Sequence, residues 1–167
     1  MVEDMLRAYT QTCTLRVRMP ISDDLSPRNF VTKIVKYDRV VDVPNSMTVL
    51  YELLPASLIL AQKKVTGIHN FCNPGAISHN EVLALYKKHV DPDFTWNNFT
   101  LDEQAQILKA GRSNNTLEHD KLMAALGDSA SLVNEIHVAV EQCMMRMRKN
   151  LEAEGNYPAC LPRRTPK

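Results

Sequence analysis

Residues 12–20 read Thr12-Cys13-Thr14-Leu15-Arg16-Val17-Arg18-Met19-Pro20, and this stretch decides the fold class. Cys13, Leu15, Val17 and Met19 alternate with Thr12, Thr14, Arg16 and Arg18. That period of two marks a strand with one apolar face, and Pro20, which cannot donate to a ladder, ends it. Upstream, Val2, Met5, Leu6 and Tyr9 fall on one face of a predicted amphipathic helix over residues 1–9. Downstream, Ser22 to Pro27 is a polar loop, and Asn29 is placed to cap a short helix running through Tyr37. Arg39 to Val43 reads as a second strand stopped by Pro44, and Ser46 to Lys64 as a helix kinked or restarted at Pro55. Gly67 to Cys72 is a third strand, followed by an Asn73-Pro74-Gly75 turn. Two capping boxes, Ser78 with Glu81 and Thr100 with Glu103, announce further helices. A final helix is predicted from Ser129 to Glu154, with Gly155 as its stop and a loose tail beyond. The order α-β-α-β-α-β-α-α-α predicts an α/β fold with crossover connections, although three strands make a poor sheet on their own.

The 167 residues fit one domain, and no linker divides them. A net charge of +1 excludes a strongly basic nucleic-acid binder. The apolar run around Leu58 to Ala61 is far short of a membrane span, and acids near the N-terminus do not suit a signal peptide. The four cysteines form no Cys-x-x-Cys pair and read as reduced thiols of a cytoplasmic protein. Glycine is the telling count. There are only 5, too widely spaced for a Gly-x-Gly-x-x-Gly or Walker A loop, so a pyrophosphate cannot be held here on a loop of that kind.

No conventional catalytic set stands out. His79-Asn80-Glu81 is no zinc helix, the histidines are scattered, and no metal site is expected. Arg112, in the polar loop Gly111 to Asn115, either clamps a phosphate or is simply solvated. Lys33, among apolar neighbours, is either a lysine of shifted pKa or one that snorkels to water. Arg16 and Arg18 either reach an anion or cover a sheet edge.

Six strings run in order: LRVRMPISDDL (15–25), PRNFVTKI (27–34), VVDVPNSMTVLYELLP (40–55), NFCNPGAISHNEVLALY (70–86), DFTWNNFTLDEQAQILKAGRSNN (93–115) and TLEHDKL (116–122). Together they resemble the C-terminal half of the UDP-4-keto-6-deoxyglucose 3,5-epimerase/4-reductases. These are extended short-chain dehydrogenases that make UDP-rhamnose and are related to dTDP-4-dehydrorhamnose reductase. The resemblance covers roughly residues 1–125. It implies the late strands and helices of a Rossmann fold with a sugar-nucleotide-binding subdomain, the N-terminal half being absent. Residues 126–155 would then be a C-terminal helix and 156–167 a disordered tail. Met1-Val2-Glu3-Asp4 resembles the family's helix just beyond its Tyr-x-x-x-Lys pair. On that reading the glycine loop, the Tyr/Lys pair and one epimerisation cysteine all belong upstream.

The resemblance implies a set of roles. Lys33 matches the family lysine that donates a proton, or steadies the enolate, during epimerisation. Met19, Pro20 and Ile21 match the strand end beside the nicotinamide of NADP. Arg28 and Asn29 match residues that meet the nucleotide-sugar phosphates. Val41, Asp42 and Val43 match the segment that reads uracil through main-chain bonds. Arg112, Ser113 and Asn114 match an arginine loop that closes on the diphosphate. Gly111 stands where the family commonly has Pro, and Glu118 where it has Asp, so the geometry of that loop departs from the pattern. The implied partners are a UDP-4-keto-6-deoxy-sugar, NADPH, the N-terminal half and, in the parent, a second copy, with neither nucleic acid nor membrane. The chain is expected to be inactive alone. Two alternatives stand beside this reading: a dTDP-4-dehydrorhamnose reductase fragment, and a non-catalytic nucleotide-sugar-binding or scaffold protein.

Overall fold

The computed structural model describes residues 2–6, 8–107 and 114–159. In chain order the elements are α1 (Val2–Leu6), β1 (Cys13–Val17), β2 (Pro20–Ile21), α2 (Phe30–Ile34), β3 (Arg39–Val40), β4 (Thr48–Val49) and α3 (Leu50–Gln62). They continue with β5 (Gly67–Phe71), α4 (His79–His89), β6 (Asn97–Asn98), α5 (Leu101–Ile107), α6 (Asp120–Leu126), a 3-10 turn at Gly127–Leu132 and α7 (Ile136–Ala153). The fold is mixed α/β with small parallel sheets: β1 pairs with β5, β2 with β4 and β3 with β6. Each pair is joined by a helical crossover, the connection that parallel strands require.

The alternation at residues 12–19 yields β1, but the strand ends at Val17. Met19 takes a left-handed backbone (φ 44), and this kink redirects the chain into β2. Arg16 and Arg18 therefore separate. Arg16 grips Glu3 of α1 with two short bonds at 2.6 and 2.5 Å, while Arg18 turns inward to Asn45 at 2.6 Å.

Several expected elements change. The helix expected from Ser46 begins only at Leu50, since Thr48–Val49 pair with β2 as a strand, and the helix expected through Tyr37 ends at Ile34. The strand expected over 39–43 stops at Val40, because its partner β6 is only two residues long and Val43 offers its carbonyl to the Asn45 side chain instead. The helix expected with a break at Pro55 runs through it; the proline sits in the second turn and forfeits one ladder bond without ending the helix. The helix expected from Ser129 divides. Val133 is extended, and Glu135 starts α7 afresh by accepting a bond from the His137 amide. The separate helix α6 is a further difference. The capping residues behave as read: Ser78 and Glu81 close a reciprocal box at α4, Thr100 and Glu103 do so at α5, and Asn29 caps α2.

Burial divides into two cores. The larger lies between α2, β4, α4 and α7, with Ile34, Val49, Leu83, Tyr86, Val140, Met144 and Met147 among its members. The smaller packs Leu53, Ala56 and Leu60 of α3 over Phe71 of β5 and Leu122 and Leu126 of α6. Burial also pushes the Cys143 thiol up to about 12, keeping it un-ionised in the larger core. Gly75 turns the chain between β5 and α4 at φ +90, which is why the turn needs glycine; a Cβ there would also lie 2.7 Å from Glu135 Oε1 and push that carboxylate aside. Among the described residues no helix is long and apolar enough to cross a membrane.

A titratable clamp ties α4 to α7. His137 Nδ1 lies 2.7 Å from Glu135 Oε1, and its Nε2 lies 3.2 Å from Glu81 Oε1. The Glu135 bond, aided by Glu81, holds His137 above its ordinary 6.5. The Ser78 amide holds Glu81 below its ordinary 4.5, and for Glu135 the His137 bonds outweigh burial in the same direction. A raised histidine stabilises the fold below its unfolded pKa and loses that contribution as pH rises through the folded one; a lowered carboxylate does the reverse on the acid side. The clamp is therefore strongest between the ordinary values of 4.5 and 6.5. We predict that His137→Gln lowers Tm at pH 6 more than at pH 8.5 in thermal melts. Equal losses at both pH values would show the clamp to be inert.

Candidate functional site

In open parallel sheets, ligands bind beyond the carboxyl ends of the strands, because the loops that leave there are free to specialise. Here the carboxyl ends of β1 and β5 open onto a polar seam among apolar walls. Thr48, fully buried, donates from Oγ1 to the Phe71 carbonyl at 2.6 Å and accepts from the Arg18 amide at 3.1 Å, so one hydroxyl bridges both strand ends. Ser46 donates its amide to the Asn115 carbonyl at 3.0 Å, and its Oγ accepts from the Leu117 amide at 2.9 Å. Asn73 follows β5; its Oδ1 accepts from the Val49 amide at 2.9 Å and its Nδ2 donates to Glu52 at 2.8 Å. Cys72, fully buried beside them, is pushed up by burial against the opposing pull of the Arg18 charge and the Ser46 bond.

The expected residues lie on separate elements, of which Val43 and Asn114 meet the seam through Asn45 and Met19 follows the seam residue Arg18. Met19, Pro20 and Ile21 form the kinked exit from β1, with Pro20 exposed and Ile21 fully buried. The loop after β2 is tied to the start of α2 by Asn29, whose Nδ2 donates to the carbonyls of Ser22 at 2.8 Å and Asp24 at 2.6 Å. Its Oδ1 accepts from the Val31 amide at 3.0 Å. Asn29 is thus occupied in shaping the loop that presents the exposed Arg28. Lys33 is exposed on α2, a helix that buries Val31, Thr32 and Ile34, so it is not the lysine enclosed among apolar neighbours that the sequence suggests. Val41 is buried, Asp42 exposed and Val43 half-buried, in extended chain outside any strand. Asn45 joins Val43 to Asn114, donating to them at 3.0 and 3.5 Å. Arg112 and Ser113 lie outside the described residues.

The sequence reading passed over Asn45, Ser46, Thr48 and Asn73. Their signal is masked in the sequence, because Asn45-Ser46 reads as the start of the helix expected from Ser46 and Asn73 as part of a turn. Among the described residues no group of three or more His, Cys, Asp or Glu side chains could hold a metal ion.

No family model matches the chain. Individual proteins do. It is 56% identical over 133 residues to a bifunctional dTDP-4-dehydrorhamnose 3,5-epimerase/dTDP-4-dehydrorhamnose reductase of Arabidopsis thaliana, covering 79% of this chain and 44% of that protein. A trifunctional UDP-glucose 4,6-dehydratase/UDP-4-keto-6-deoxy-D-glucose 3,5-epimerase/UDP-4-keto-L-rhamnose-reductase of the same plant is 54% identical over 133 residues, covering 79% of this chain and 20% of that protein. The crystal structure of the UDP-rhamnose synthase of Acanthamoeba polyphaga mimivirus superposes with a TM-score of 0.77 at 39% identity, covering 86% of this chain and 49% of that one. The chain is similar to rhamnose-forming nucleotide-sugar enzymes. It spans less than half the length of each of these relatives.

Proposed function

We propose that the chain is the substrate-binding half of an NADPH-dependent UDP-4-keto-6-deoxyglucose 3,5-epimerase/4-reductase. The observation that carries this reading is the 56% identity over 133 residues to a bifunctional epimerase/reductase. The parallel pairing of β1 with β5 suits the late part of a doubly wound sheet, whose earlier strands would come from the portion of the relatives that this chain does not span.

The division of labour is the one the resemblance implies, and the exposure of Arg28 and Lys33 is compatible with it. Val41, Asp42 and Val43 present main-chain groups to the base. Arg28 meets the phosphates, Asn29 holding its loop, and Arg112, Ser113 and Asn114 close on the diphosphate. On this reading the kinked exit Met19-Pro20-Ile21 is the backbone wall beside the nicotinamide, and the chain has no glycine-rich loop to cradle the pyrophosphate. NADPH, when bound, supplies hydride to C4 of the sugar. The wall's task is to place that carbon, since orientation accounts for much of the barrier lowered in such transfers. For epimerisation, a C–H bond beside the 4-keto group breaks on one face of the ring, its proton passing to the cysteine thiolate that the resemblance places in the upstream half, and the electrons move into the enolate. A Lys33 N–H then returns a proton to carbon on the opposite face.

Calorimetry with UDP and with dTDP tests the reading. Binding of UDP in preference to dTDP is expected. Preference for dTDP would transfer the assignment to a dTDP-4-dehydrorhamnose reductase, and absence of heat with both nucleotides would remove the reading. The chain by itself is expected not to oxidise NADPH in the presence of UDP-4-keto-6-deoxyglucose, followed by loss of NADPH absorbance, and measurable turnover would contradict the half-site assignment.

A further inference from the structure

We propose that Asn45 is a positioning residue that holds the base-reading segment Val41–Val43 in register with the strand end Arg18–Ile21. The inference rests on the reading of 41–43 as the base-contacting segment and names the residue that aligns it with the rest of the site.

Asn45 is fully buried, and both ends of its side-chain amide are in use. Oδ1 accepts from Arg18 Nη2 at 2.6 Å and from the Asn115 amide at 3.0 Å. Nδ2 donates to the Val43 carbonyl at 3.0 Å and to Asn114 Oδ1 at 3.5 Å. The orientation is dictated by chemistry: a guanidinium only donates and a backbone carbonyl only accepts, so the oxygen must face Arg18 and the nitrogen must face Val43. The main chain of Asn45 is itself clamped, its N–H and C=O exchanging bonds of 3.0 Å with Ile77. One rigid amide therefore measures the distance from Arg18, directly ahead of Met19, to Val43, at the end of the base segment. A nucleotide seated on residues 41–43 is delivered at a set distance from the strand end where the sugar must lie. A buried asparagine needed only to fill space would not require donors on one side and acceptors on the other.

Asn45→Asp separates the two halves of the amide. It keeps the shape and the acceptor toward Arg18 and Asn115, but sets an acceptor against the Val43 carbonyl. UDP and ADP are titrated calorimetrically into the wild-type chain and the variant, with Tm measured for both. The expected result is about a tenfold loss of UDP affinity with ADP affinity unchanged, so that discrimination between the bases falls. A packing role would lower Tm and weaken both nucleotides alike, leaving the ratio intact, and that result overturns the inference while sparing the base-reading segment. Absence of any UDP preference in the wild-type chain would overturn the base reading and this inference with it. Should the variant not fold, hydrogen exchange on the wild-type chain decides. UDP should slow the Asn45, Ile77 and Asn115 amides about tenfold while leaving the remote Lys63 and Val65 amides unchanged, and uniform or absent protection counts against coupling.

Discussion

Replacing Glu52 by alanine is expected to destabilise the chain by about 3–5 kcal/mol. Glu52 lies in the first turn of α3 yet is only 6% exposed, an unusual place for a carboxylate. It is tolerated because three donors converge on it. Asn73 Nδ2 and the Asn134 amide reach Oε2 at 2.8 and 3.0 Å, and Asn134 Nδ2 reaches Oε1 at 2.8 Å. Alanine removes the acceptor shared by the buried Asn73 and the half-buried Asn134, leaving Asn73 Nδ2 only its 3.1 Å bond to the Asn134 carbonyl. The loss is therefore that of three bonds to a charged group together with partial desolvation of their donors. Glu52→Gln keeps the shape and one acceptor oxygen, and should cost about 1–2 kcal/mol. Urea denaturation of the two variants is the check; an alanine variant within about 0.5 kcal/mol of wild type would mean that water replaces the carboxylate and the network is dispensable. The effect should reach the candidate site, because Asn73 also accepts the Val49 amide and so sets β4 against the end of β5.

The second large effect is expected at Tyr86. Its side chain is fully buried in the larger core and meets Phe94 edge-on, with ring centroids 5.2 Å apart; Phe94 in turn stacks on Trp96 at 5.9 Å. Tyr86→Ala opens a cavity where α4 packs against α7 and removes the aromatic contact, for about 3–5 kcal/mol. Tyr86→Phe keeps the ring and should stay within about 1.5 kcal/mol. At this chain length the alanine loss corresponds to a fall in Tm of about 10 °C. Calorimetric melts would contradict the packing account if the phenylalanine variant fell as far as the alanine variant.

The sequence was most legible where a rule acts over a few residues. The capping boxes at Ser78/Glu81 and Thr100/Glu103 are read three positions apart and form as read, since a cap is satisfied by its own helix. β1 was legible from the alternation of Cys13, Leu15 and Val17, but burial along it does not alternate, and Val17 lies exposed. Elements that depend on a partner were less so. The second strand shortened to Arg39–Val40 because a ladder is as long as its shorter member. Pro55 suggested a break, but the buried Leu53, Ala56 and Leu60 hold α3 together across the missing bond.

By itself, then, the sequence determined the mixed α/β class, the capped helix starts at Asn29, Ser78 and Thr100 and the absence of a glycine-rich phosphate loop, all consequences of local backbone chemistry. The short strands β2, β4 and β6 and the helix α6 emerged only in the folded chain. The tertiary structure alone decided which polar side chains turn inward. Arg16 and Arg18 are two positions apart with the same side chain, yet one grips Glu3 at the surface and the other reaches Asn45, 27 residues away. Asn45 meets Asn115 across 70 residues and Glu52 meets Asn134 across 82. No local preference encodes such pairs. They form because a polar group carried into the interior must find a partner, and only the folded chain determines which partners lie within reach.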